Sequence, residues 1–230
     1  MSTNKNRLLL REVFLNTEQN MSDIVRNDEF DPTTPMTTKI VPFPGDNVIS
    51  NPVSQNSLLS NIVQPFSGDD YAELGAIIGM LEGMTVFFQT LHWKMNGKTF
   101  YGDHLMFQRI YESFAEPIDS IAEKAVAFGS IKLVDHEKIV RSMDLFLNHL
   151  EQDLALKAAS MGPEMDDTGY QFAKRGQYVL DLFIKTTEKI MSELKEKGKL
   201  SKGLDNLLAG ILDTQEGNVY LLKQRTRVGF

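Results

Sequence analysis

From Ser67 onward the apolar positions recur in steps of three and four. Leu74, Ile77, Ile78, Leu81, Met84, Phe88 and Leu91 form one such series, the repeat that places side chains on one helix face. Ser67, Asp69 or Asp70 is expected to cap this helix, with Glu73 supporting its first turn. Asn96-Gly97 breaks the chain. A second helix is predicted from near Asp103 through Phe107, Ile110, Phe114, Ile118, Ile121 and Ala125 to Gly129. Pro117 sits inside it, where a missing N–H should kink the backbone two residues before Asp119. A further amphipathic segment spans 135–159, using Ile139, Met143, Phe146, Leu150 and Leu154, and stops at Met161-Gly162-Pro163. A long helix follows from about Thr168 to Glu196, closed by Gly198. Ser201 opens the last, with Leu204, Leu208, Ile211, Val219 and Leu222 inward. No core segment shows a strand pattern, so the fold class is all-α. Four long helices, with a fifth inserted between the second and third, predict a bundle with a long crossover.

Composition divides the chain near Phe66. Six of the eight prolines lie before it, but only one of the sixteen glycines. Residues 1–66 read as an extended, Pro/Asn-rich arm with one short helix around Leu9 to Ile24. The arm carries apolar beads at Ile40-Val41, Phe43, Val48-Ile49, Leu58-Leu59 and Ile62-Val63. That pattern suits a strap pinned along a folded surface, a neighbouring subunit or another protein. The two expected regions are therefore the arm, 1–66, and the bundle, 67–230.

Charge narrows the partners. The chain carries a net −7, and the arm holds five basic residues against seven acidic ones, so DNA binding through the arm is not expected. Local basic clusters exist at Lys195, Lys197, Lys199 and Lys202, and at Lys223, Arg225 and Arg227. Cations near helix C-termini are ordinarily there for the helix dipole. The absence of cysteine excludes disulfides and thiolate metal sites. No stretch approaches eighteen uninterrupted apolar residues, so no membrane span is expected. The Leu8-Leu9-Leu10 run, ended by Arg11 and Glu12, is too short for a secretion signal. A cytoplasmic or particle-bound protein is the expectation.

The chemistry is concentrated between His92 and Glu123. His92 ends the first helix, His104 begins the second, and Gln108 lies one turn on. Asp119 and Glu123 share one helix face at i, i+4. Imidazole and carboxylate ligands suit iron or zinc, and paired carboxylates especially suit iron. Singly, each residue also reads as a cap or a solvated charge, and Trp93 reads as packing. Asp119 lies fifteen residues beyond His104, about 22 Å along a helix. One chain therefore cannot bring all four groups to one ion. Two second helices packed antiparallel about a two-fold axis would do so, giving two equivalent sites.

His92-Trp93, Gly97, Phe100, His104, Phe107, Tyr111, Asp119, Ile121-Ala122-Glu123 and Gly129 resemble the signature of Dps proteins, ferritin relatives that form hollow shells of twelve subunits. The last helix, with Asp213, Gln215-Glu216 and Val219-Tyr220-Leu221-Leu222, is also similar; the resemblance covers about residues 70–224. It implies a ferritin-like four-helix bundle, a homo-oligomer built from two-fold dimers, and non-haem iron. It also implies that His92, His104, Asp119 and Glu123 oxidise ferrous iron across a dimer interface, with Gln108 as a further metal contact. No Glu-x-x-His, the other common di-iron arrangement, is present. The family places Asp where this chain has Gln108, so weaker metal binding is expected. The departures at Gln108 and Pro117, with the long arm, also fit a second reading: a structural assembly subunit, such as a virion component, with weak or lost ferroxidase activity. A DNA-compacting role without catalysis is a third.

Overall fold

A computed structural model describes residues 55–158 and 168–227. The expected helix around Leu9 to Ile24, the beads up to Ile49 and the Met161-Gly162-Pro163 stop lie outside the described residues.

The first described helix, α1 (Gln55–Val63), runs into a 3-10 turn at Gln64–Phe66 that contains Pro65. Leu58, Leu59, Ile62 and Phe66 are buried in the main core. The extended reading of 1–66 is thus corrected over its last part. Leu58, Ile62 and Phe66 repeat every four residues, and α1 lays that stripe on α2 (Ala72–Lys94) and α5 (His136–Ala158). The buried Ser142 hydroxyl of α5 donates to the Ile62 carbonyl at 2.8 Å, which occupies a carbonyl at the end of α1.

α2 is the central helix of the described bundle. All seven of its expected apolar positions are buried, as are Ala76 and Met80 between them. By length and composition it could cross a membrane, but it is the core helix of the bundle. Gly75, Gly79 and Gly83, spaced four apart, let neighbours approach its backbone closely. A Cβ at Gly75 would lie 2.6 Å from the Phe66 ring, at Gly79 2.6 Å from the Ser142 hydroxyl, and at Gly83 2.8 Å from Phe146. The expected cap is corrected. Tyr71, in the left-handed region at φ 57°, precedes the helix, and no side chain caps it. Asp69 instead pairs with Lys138, Asp70 with Lys199, and Glu73 with Lys197.

The second bundle helix is broken in two, α3 (Phe100–Glu112) and α4 (Ala115–Phe128). The break at Ser113–Phe114 precedes Pro117, because proline removes the bond that would reach the Ser113 carbonyl and its ring crowds that carbonyl. Pro117 itself sits in the first turn of α4, where its missing N–H costs little. A 3-10 turn at Ile131–Val134, capped by Ser130, leads into α5. Helices α6 (Thr168–Glu196) and α7 (Lys202–Arg225) pack together as a hairpin. Gly198 takes φ 68° at their turn, and the Ser201 hydroxyl accepts from the Leu204 N–H, capping α7. The result is the ferritin-like arrangement: α2, α3–α4, α6 and α7 form the four-helix bundle, and α5 is the extra helix of the crossover.

Between α5 and α6 lies a partly buried polar cluster. The Tyr178 hydroxyl donates to Asp153, which also faces His149 at 3.6 Å. Burial, and then the bond to the Asp153 carboxylate, push the Tyr178 phenol above its ordinary range.

Candidate metal half-site

The Asn96-Gly97 turn folds α3 back against α2 and brings His92 and His104 face to face. Their rings stack with centroids 3.6 Å apart and planes 25° from parallel. His92 Nδ1 lies 2.9 Å from the His104 carbonyl oxygen, and His104 Nδ1 lies 3.1 Å from the His92 carbonyl oxygen. A carbonyl oxygen only accepts, so both Nδ1 atoms carry the proton. In the neutral rings both Nε2 atoms then keep a lone pair. This is the second-shell pattern that prepares imidazole for a metal. His92 is buried and His104 half-buried. Phe100 leans on the His104 ring at 4.9 Å, and Tyr111 meets His92 edge-on at 5.3 Å.

The carboxylates lie elsewhere. Asp119 and Glu123 are exposed on α4. Among the described residues no three His, Asp or Glu side chains converge to hold a metal. Gln108, one turn after His104, donates its amide N–H to Glu112 at 2.8 Å, leaving its carbonyl oxygen as the atom suited to a cation. Trp93, expected to pack, is 67% exposed. With Phe100, Tyr101 and Leu105 it forms a run of exposed apolar side chains at this end of the bundle.

Sequence reasoning missed two cross-bundle ion pairs, one beside the histidines and one at the far end of α2. Asp103 is buried, and Arg225 donates to both of its carboxylate oxygens at 2.7 and 3.1 Å. Lys199 pairs with Asp70 and lies 5.2 Å over the Tyr71 ring; the bond to Asp70 raises its pKa. Lys197, Lys199 and Arg225 are thus engaged with carboxylates, which weakens both basic clusters as nucleic-acid surfaces. No sequence signal distinguishes such cross-bundle partners from ordinary C-terminal cations.

No family model matches the chain, and no curated protein does. Among solved structures it is similar to Dps from Thermosynechococcus elongatus, at 17% identity and a TM-score of 0.49, over 76% of this chain and 96% of that one. It is also similar to DpsC from Streptomyces coelicolor, at 16% identity and a TM-score of 0.49, over 75% of this chain and 87% of that one. The fold itself is an all-α, ferritin-like four-helix bundle with an extra helix in the crossover.

Proposed function

We propose that the protein is a Dps-like subunit that binds and oxidises ferrous iron between two copies of itself and stores the ferric product within a closed homo-oligomer. The observation that carries this reading is the reciprocal Nδ1–H bonding of His92 and His104, which leaves each neutral ring an Nε2 lone pair to offer a metal. Two nitrogens are half of a coordination sphere. Asp119 and Glu123 are exposed on the helix that continues the His104 helix, where a second copy can receive them. Antiparallel pairing of two α3–α4 segments supplies the partner's carboxylates to each His pair, and the exposed Trp93, Tyr101 and Leu105 give that contact apolar area to bury. Iron is the substrate. The imidazoles set its position, and the carboxylates favour the ferric charge. Each ferrous ion loses one electron; two electrons cleave the O–O bond of one peroxide, which takes two protons and leaves as two waters. Dioxygen is the alternative oxidant.

The test is ferric absorbance after ferrous iron and peroxide are added to the wild type, His104→Ala and Asp119→Ala. Both variants should fall to the rate of the buffer blank; three equal rates would remove the reading.

A second reading has its own support. Gln108 brings no charge and is turned toward Glu112, which fits a bundle kept as an assembly module, in the cytoplasm or in a particle such as a virion. Under it the N-terminal segment ties copies together. Because α1 belongs to the core, the cut that tests this ends at residue 54, not 66. An unchanged oligomer by light scattering would count against it.

A further inference from the structure

The imidazole pair keeps its geometry only while two backbones stay in register, since each ring bonds the other helix's carbonyl. The α2 side is held by burial. The start of α3 is more open, with Tyr101, Gly102 and Leu105 exposed. One side chain from the far end of the sequence grips it. Arg225, in the last turn of α7, donates from Nε to Asp103 Oδ1 at 2.7 Å and from Nη2 to Asp103 Oδ2 at 3.1 Å. The same Nη2 donates to the Thr99 hydroxyl at 3.1 Å. Thr99 is the residue before α3, and Asp103 is the neighbour of His104. A single guanidinium therefore spans the first turn of the helix that presents the His104 carbonyl. The fork geometry fixes orientation as well as distance. The site is closed over: the Asp103 and Arg225 side chains are 5% and 20% exposed. A Cβ at Gly169 of α6 would lie 1.9 Å from Asp103 Oδ2.

We infer that Arg225 is a positioning residue for the imidazole pair: through Thr99 and Asp103 it sets the carbonyl that fixes the His92 tautomer, and with it metal affinity. The affinity clause rests on the metal reading above; the tautomer clause does not.

The experiment uses the full chain with 15N-labelled histidine, as wild type, Arg225→Gln, Arg225→Lys and Asp103→Asn. A control, Leu204→Ala, truncates the core at the opposite end of α7, about 31 Å away. Solid-state 15N spectra without metal read the ring tautomers, assigned by signals lost in His92→Gln and His104→Gln. Cobalt(II) titration then reads affinity. Arg225→Gln and Asp103→Asn should mix the Nδ1–H tautomer with the other form and weaken cobalt(II) about tenfold. Arg225→Lys reaches one partner but not both, so it should fall between; it replaces Arg225→Gln if that variant does not fold. Leu204→Ala should keep the wild-type tautomer. Wild-type ring signals in both Arg225 variants would overturn the inference, as would an equal change in Leu204→Ala. Mixed tautomers in a protein whose wild type binds no cobalt(II) would sustain the positioning role and sink the metal reading.

Discussion

His92 and His104 donate their Nδ1 protons to each other's backbone carbonyls, at 2.9 and 3.1 Å, while their rings stack. This arrangement ties the end of α2 to the start of α3 and leaves a lone pair on each Nε2 of the neutral rings. In the proposed site the remaining ligands come from a second copy.

In the proposed site Gln108 is a ligand position without charge. Gln108→Asp brings a negative charge one turn from His104. It should tighten cobalt(II) binding about tenfold, or 1.4 kcal/mol, at the cost of the bond to Glu112. A titration showing unchanged affinity would mean that this position does not face the ion.

Close packing of α2 and α5 depends on Gly79. A Cβ there would lie 2.6 Å from the Ser142 hydroxyl and 3.2 Å from the Met143 backbone nitrogen. Backbone yields poorly, and Ser142 is tied to Ile62. Gly79→Ala should lower stability by about 1–3 kcal/mol, seen as a lower Tm. A Tm equal to wild type would show that α5 can shift away freely.

Tyr178 predicts sensitivity to base. Its folded-state pKa lies above the ordinary 10.0, so its contribution is full below pH 10 and is lost as pH rises beyond it. Wild type should therefore lose Tm above pH 10 more steeply than Tyr178→Phe. At neutral pH the variant should be the less stable by about 1–3 kcal/mol, because Asp153 loses a donor. Parallel Tm curves across the alkaline range would contradict this.

The helices were legible in the sequence because their apolar steps are regular and their stops, Gly97, Gly129 and Gly198, are ordinary ones. Helix α1 was hidden: it has nine residues, with Asn, Ser and Gln among them, and draws its stability from contact with α2 and α5 rather than from propensity. The α2 cap was misread because Asp69 and Asp70 face lysines more than sixty residues away, a choice that local pattern does not encode. Pro117 was expected to kink the helix; that the break falls at Ser113–Phe114 follows from the reach of the missing bond. In the half-site the places of the two histidines, one ending the first helix and one beginning the second across the Asn96-Gly97 break, were legible. Their mutual carbonyl bonds, the exposure of Trp93 and the Arg225 grip on Asp103 depend on the packed backbone, which spacing alone does not specify.

The central claim is that each metal site is made by two copies, and complementation tests it most directly. His104→Ala and Asp119→Ala subunits, each inactive alone, are co-expressed under separate tags, and ferrous oxidation is measured on the mixed oligomer. In a mixed dimer one site is doubly damaged, while the other joins intact histidines to intact carboxylates. Random pairing should thus restore about one quarter of wild-type activity. A mixed oligomer as inactive as its parents would contradict a shared site.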